Sequence, residues 1–566
     1  MTVSRAKRPR RPRRGPAFDG VALALYQSLF AACAEEMGIT LMRTAHSPNI
    51  KERLDHSCAV FDSRGRLVAQ AAHIPVHLGS LPRAVGAALA AGPLEAGDVV
   101  LLNDPYAGGT HLPDLTLVSP VFLPGPPLAG RAGSRAVPDF LVASRAHHAD
   151  VGGAAPGSMP LAREVYEEGL RIPPVFLVRR GRLQRDVLNL VLANVRTPEE
   201  RRADLGAQLG AQATGERRLH DLARRAGADA LRGPRSLARA ASALMDHAER
   251  RVREALRRLP RGRHRFADAL DDDGLGSGPV RIAVTLTLSG ESVRADFTGS
   301  STQTSGPVNA VEAVTRAATY YAVRCVLGGD LPVNDGTFRP IVVWAPPGSV
   351  VNPRPPAAVA AGNVETSQRI VDVVLGAFAR ALPRLIPAAS YGTMSNLLIG
   401  GTDPRAGRPF AYYETLAGGH GAGPGWDGAS AMQAHMTNTR NTPVEALEHA
   451  YPLRIVSTRI LRGSGGRGRW RGGDGIERVI DLRTRSRVSV ISERRVLPPW
   501  GLSGGGAGRR GVNRLRARPG SPTLRLPGKF QIDLERGAVL TVATPGGGGF
   551  GRPRGKHLRR GSTRRR

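Results

Sequence analysis

Cysteine is scarce in this chain of 566 residues: there are three, Cys33, Cys58 and Cys325. An odd, widely spaced set excludes a disulfide framework and a zinc ribbon, and it predicts a reducing compartment, the cytoplasm. Long apolar runs are missing too. No stretch approaches the roughly 18 residues of a membrane span, and residues 21–33 run straight into Glu35 and Glu36 instead of a signal-peptide cleavage site. Aromatic residues make up only 5% of the chain and do not interleave with basic ones in the manner that stacks bases, which argues against specific nucleic-acid binding. Lysine is nearly absent, at four of the 80 basic residues (Lys7, Lys51, Lys529 and Lys556). With 69 Gly and 44 Pro, this Arg bias reads as the mark of a GC-rich genome as much as of a charged partner.

The net charge of +33 is unevenly spread. The first 14 residues carry seven Arg or Lys and the last 15 carry eight, with no acidic residue in either stretch. Residues 1–16 and 553–566 are therefore expected to be disordered basic tails, whose one conceivable role is contact with polyanions. An apolar content of 41% over the 566 residues suffices for roughly three or four domains. The order of elements predicts an α+β fold: an N-terminal α+β region over 17–260, a central α+β region over 261–453, and a β-rich, Gly-rich region over 454–552. Residues 18–37 read as an amphipathic helix stopped by Gly38, and Val99 to Leu102 as a short buried strand.

Chemistry concentrates just after that strand. Residues 103–114 read Asn-Asp-Pro-Tyr-Ala-Gly-Gly-Thr-His-Leu-Pro-Asp, so Asp104, His111 and Asp114 offer oxygen and nitrogen donors on a loop carried by a rigid element. His-x-x-Asp alone more often marks a loop hydrogen bond than a metal ligand. A second set, His147, His148 and Asp150, follows the apolar run 140–143, and two converging strand ends would close one metal site. His73 and His77 read as structural histidines. A second focus spans 414–440, with Glu414, His420, Asp427, His435, Asn438 and Arg440 among glycines, while Glu365 precedes a helix over 368–382. The Gly-rich runs 464–475 and 544–551 fit neither a phosphate loop nor a dinucleotide fingerprint, and read as turns or interface loops.

The strings at 103–114, 145–153 (Arg-Ala-His-His-Ala-Asp-Val-Gly-Gly), 169–174 (Gly-Leu-Arg-Ile-Pro-Pro), 435–440 (His-Met-Thr-Asn-Thr-Arg) and 544–551 resemble, in this order, the hydantoinase B/oxoprolinase family. The resemblance covers about residues 18–552. It implies the B-type part of an ATP-dependent cyclic-amide hydrolase of 5-oxoprolinase or hydantoinase type, linked to glutathione metabolism in the oxoprolinase branch. The related alternative is the alpha subunit of an acetone or acetophenone carboxylase. It further implies a hetero-oligomer in which a hydantoinase A type partner binds ATP and activates a small cyclic-amide substrate. Chemistry then follows at a divalent metal (Zn, Mn or Fe) held by His111, Asp114, His147 and Asp150, with Asp104 as ligand or neighbour. His435, Asn438, Arg440 and Glu365 are the expected substrate-handling residues.

Overall fold

The computed structural model describes residues 18–71, 74–124, 137–225 and 234–553. His73, the basic tail expected at 1–16 and, apart from Pro553, the one expected at 553–566 lie outside the described residues. The chain is a mixed α+β protein. Among the described residues no helix is long and apolar enough to cross a membrane.

The first sheet orders seven strands as Leu67–Gln70, His56–Asp62, Phe140–His147, Asp114–Val121, Val99–Leu102, Val175–Arg179 and Arg182–Leu183. Every neighbouring pair is antiparallel. Successive side chains in a strand point to opposite faces. Cys58, Val60, Val142 and Ala146 pack in one cluster with the helices Gly20–Thr44 and Pro198–Arg225. Ala59, Phe61, Leu141 and Ala143 belong to a second cluster on the other face. Burial on both faces is why Cys58 to Phe61 and Phe140 to Ala143 are unbroken apolar runs.

The helix Gly20–Thr44 outruns the stop expected at Gly38, which is buried within it; the chain turns out only at Ala45. A glycine inside a helix costs about 1 kcal/mol, less than the burial of Phe30, Met37 and Leu41 around it contributes.

The second cluster continues into a four-stranded sheet (Gly262–Leu270, Val280–Leu288, Val293–Asp296, Ile341–Trp344) and the helices Glu312–Leu327 and Ser367–Ala381. It runs from Ala59 to Ile491, so the N-terminal and central regions share one core. A third cluster joins two further sheets. One contains Asn396–Asp403, Arg408–Thr415, Ser486–Ile491 and Lys529–Leu534; the other contains Leu453–Ile460, Ile476–Leu482, Val512–Arg516, Thr523–Leu526 and Val539–Ala543.

The Gly-rich runs are not turns. Extended segments lie side by side and bond to one another: Gly473 N–H donates to His420 O (2.8 Å), Gly547 N–H to Gly473 O (2.9 Å), and Gly466 N–H to Gly547 O (2.8 Å). A Cβ on Gly547 would sit 1.9 Å from His420 O, and one on Gly473 would sit 1.9 Å from Ala429 O. Only glycine allows backbones to approach this closely.

Candidate metal centre

The register of the first sheet builds the site. Asp114 opens its strand opposite His147, which closes the neighbouring one. On the other side of His147, its backbone N–H donates to Asp55 O (3.0 Å), immediately before the strand His56–Asp62. Asp55, His147 and Asp114 thus stand in a row across three strand ends. His111 reaches the same point from the loop, its Nε2 3.1 Å from Asp114 Oδ1 and 3.2 Å from His147 Nδ1. His147 Nδ1 is itself 3.4 Å from that Oδ1. His77 closes the cluster, with Nε2 3.4 Å from Asp114 Oδ2 and Nδ1 2.9 Å from Ser57 Oγ. All five side chains are buried.

The donor set has the chemistry of a cation site. His111 Nδ1 lies 3.3 Å from the Ala360 carbonyl, which only accepts; with a proton on Nδ1, Nε2 beside the Asp114 carboxylate either carries a second proton and donates to it or is open to a metal ion. Two electron-rich atoms so close need a positive charge between them, from a second imidazole proton or a metal ion. Bonds of about 2.0–2.1 Å to a divalent transition ion set neighbouring ligand atoms about 3.0–3.4 Å apart, and the three distances fall in that range. His111, Asp114 and His147 form a group that can hold a metal ion; two imidazoles and one carboxylate do not discriminate among Zn, Mn and Fe. Burial opposes the ionisation of Asp114, yet His111, His147 and His77 hold its carboxyl well below the usual range. Burial also pushes His77 and His147 down and Asp55 up.

Neighbouring groups fix these rings. Buried Glu168 accepts through Oε1 from the N–H groups of Val359 (2.7 Å) and Ala360 (2.8 Å), holding the strap whose carbonyl receives His111. Tyr413 stacks on His147, and its hydroxyl donates to Asn396 Oδ1 (3.0 Å). Arg53, fully buried, donates to Tyr413 O (2.8 Å) and Thr415 Oγ1 (3.1 Å), with its guanidinium 4.7 Å from the Tyr413 ring centre. A small cavity of about 20 Å³ adjoins the cluster, room for one water. Ile74, Val76, Val364, Met394 and Met436 supply its apolar wall, and Asn363, Thr415, Thr437 and Thr439 its polar one.

The other expected residues lie apart from the cluster. Asp104 caps a short turn through Tyr106 N (2.9 Å) and pairs with Arg171 (2.8 Å). Asp150 is occupied by Arg196 Nη1 (2.8 Å) and by the N–H groups of Gly152, Gly157 and Arg196. His148 turns to Gln208 Oε1 (2.9 Å) on the helix Pro198–Arg225. Glu365 sits in a π-helical turn, Gly362–Thr366, accepting from Met394 N (3.0 Å) and Asn396 Nδ2 (2.7 Å); burial, with Glu493 adding, pushes it up to about 8. His435 has a left-handed backbone (φ 58°) and lies 3.9 Å from Asp372, and burial pushes it down to about 3. The side chains of Asn438 and Arg440 are exposed, and their neighbours Met436, Thr437 and Thr439 line the cavity instead. Glu414 pairs with Arg478 (2.9 Å), and His420 bonds Gln433 O (2.8 Å).

No donor pattern of the sequence includes Asp55, and His77 reads there as a structural histidine. The available signal is positional: Asp55 directly precedes a strand that pairs with the strand ending in His147.

A family model described as hydantoinase B/oxoprolinase matches residues 19–553. An uncharacterised protein of Methanocaldococcus jannaschii is 40% identical over 543 residues, covering 94% of this chain and 91% of its own length. The 5-oxoprolinase 1 of Arabidopsis thaliana is 39% identical over 558 residues, covering 94% of this chain but 42% of its own, so the chain spans about two fifths of that relative. A Pseudomonas protein named as the B-type subunit of a putative D-/L-hydantoinase is 30% identical over 92% of this chain and 88% of its own. Among solved structures, the ATP-dependent caprolactamase from Pseudomonas jessenii superposes with a TM-score of 0.86 at 28% identity, over 95% of this chain and 93% of that one. Nucleotide-free acetone carboxylase gives 0.83 at 19% identity, over 94% of this chain and 75% of that one, a likeness of fold alone.

Proposed function

The chain belongs to the hydantoinase B/oxoprolinase family, and from that membership we propose that it is the B-type part of an ATP-dependent cyclic-amide hydrolase that opens a lactam or hydantoin ring. The observation that carries this reading is the buried His111–Asp114–His147 group beside a cavity with hydroxyl and apolar walls. A ring amide is a poor electrophile, so its opening needs activation of the oxygen, of the attacking water, or of both. A divalent ion bound by those three residues would supply Lewis acidity at this point.

The remaining tasks fall to the chain's own side chains. His111 is oriented by the Ala360 carbonyl and His147 by the Tyr413 ring, so both present a nitrogen to Asp114. Asp55, raised by burial, is suited to taking and returning a proton. Thr415, Thr437 and Thr439 offer hydroxyls to the ring amide, while Val364, Met394 and Met436 keep water out. The cavity is too small for a ring, so entry requires a wall to move, and Met436, Thr437 and Thr439 form one of them.

Phosphoryl activation is assigned to a hydantoinase A type ATPase partner. The naming of the Pseudomonas relative as one subunit and the two-fifths coverage of the plant oxoprolinase support this, and three cysteines outside any disulfide are compatible with a cytoplasmic complex. The carboxylase alternative has only a likeness of fold at 19% identity behind it. Coexpression with an A-type ATPase subunit, followed by assay of ATP hydrolysis dependent on 5-oxoproline, hydantoin or caprolactam, tests the reading. Stimulation by one of these is expected; stimulation by acetone or acetophenone alone, or by none, overturns it.

A further inference from the structure

A groove of about 850 Å³ runs across the C-terminal five-stranded sheet, far in sequence from the metal group. Arg459, Arg462, Arg509, Arg510, Arg514 and Arg525 line it, and Glu477 is its one acidic residue. Glu477 is already engaged: Arg459 Nε donates to it at 2.8 Å, and Arg514 lies 3.7 Å away. Among the described residues, no ion pair involves Arg462, Arg509, Arg510 or Arg525. Register makes the imbalance sharper, because Arg514 and Arg525 are direct partners across their two strands. Like charges directly opposite in a sheet destabilise it, and the one carboxylate of the groove does not neutralise both.

We propose that this groove docks an acidic segment of a partner polypeptide. The sheet order runs from Leu453–Ile460 at one edge to Thr523–Leu526 at the other, with three strands between. At about 4.8 Å per step the arginines span roughly 19 Å. A spread of that size matches an extended row of carboxylates better than one compact anion. The guanidinium fork donates two parallel hydrogen bonds to a carboxylate. The uncharged lining is Ile460, Leu461, Ser464, Pro498, Val512 and small residues, with no aromatic ring to stack a base, which favours polypeptide over single-stranded nucleic acid. None of these residues takes part in the proposed catalysis, so the inference stands or falls apart from it.

The test uses the full chain with poly-glutamate of about 20 residues at about 0.15 M salt, read by hydrogen exchange and by peptide anisotropy. Slowed exchange over 458–464 and 509–526 is expected, a signature that contact with the basic tails would not produce. A triple variant, Arg462→Gln/Arg514→Gln/Arg525→Gln, should lose that protection and weaken the peptide by about tenfold or more. Arg525→Glu gives a second readout free of folding damage: pairing with Arg514, it should raise the melting temperature while weakening peptide binding. Protection confined to other segments, peptide affinity within about twofold of wild type in both variants, or stronger protection of this groove by an oligouridylate of equal length would each overturn the proposal.

Discussion

The Tyr413 ring lies over the imidazole of His147, centroids 4.6 Å apart and planes 21° from parallel. Among the described residues His147 Nε2 has no hydrogen-bond partner, so the stack takes the place of the bond that usually orients a ligand histidine. Tyr413→Leu should lower divalent-metal affinity by about tenfold or more in calorimetric titration. Tyr413→Phe, which keeps the ring and loses the bond to Asn396, should stay within a fewfold of wild type. Equal affinity in all three proteins would show that the stack does not orient the histidine.

The expected donors separate by metal content. His111→Ala, Asp114→Asn and His147→Ala should each strip the purified protein of stoichiometric metal in elemental analysis. Asp104→Asn and Asp150→Asn should retain it, because those carboxylates are held by Arg171 and Arg196. Asp150→Asn should still lose roughly 1–3 kcal/mol of stability, since it breaks a buried, charge-assisted bond.

Burial pushes Glu168 up to about 8. Below its ordinary value of 4.5 the group is protonated in both folded and unfolded chains and has no effect on the balance. From there to about 8 only the unfolded chain ionises, so stability falls as pH rises, by up to about 1.4 kcal/mol per pH unit for this one group. Glu168→Gln keeps an oxygen for the Val359 and Ala360 amides and should flatten that decline in urea melts at pH 5 to 8. Glu365 and Glu493, pushed up to about 8 and about 7, slope the same way and would leave a residual decline in the variant. An unchanged slope would mean that Glu168 ionises freely in the fold.

Glycines separate into two classes. Gly547→Ala and Gly473→Ala place a methyl 1.9 Å from a backbone oxygen and should cost about 3 kcal/mol or more, or prevent folding. Gly86→Ala, on the exposed side of the helix Leu81–Ala90 with nothing within 4 Å, should stabilise by up to about 1 kcal/mol. Thermal melts of the three variants decide the matter.

What was legible in the sequence follows from these distances. His111 and Asp114 share one loop, and His147 ends an apolar run, so local pattern alone marks them as donors at strand ends. Asp104 and Asp150 look identical to them locally. Arg171 and Arg196, which occupy them, stand 67 and 46 residues away in the chain, and no local pattern reveals that pairing. Polarity draws the eye to Asn438 and Arg440 over the inward Met436, Thr437 and Thr439, because the orientation of an irregular strap has no period to read. The α+β class and the Val99–Leu102 strand were legible from apolar runs, and the glycine lattice was not, since an extended glycine run and a turn share one composition.

The lattice also sets an order of events. His420 O receives Gly473 N–H, and Gly473 O receives Gly547 N–H, so the loop leading to the Met436–Thr439 cavity wall is tied to residues that leave the ribosome more than a hundred positions later. At roughly 5–20 residues per second the gap lasts on the order of ten seconds. During it the first sheet, with its buried acid and histidines, has all of its own strands while one wall of its cavity lacks its anchor. In the finished fold the Met436–Thr439 wall of the cavity is therefore anchored only once glycines made more than a hundred residues after His420 are in place.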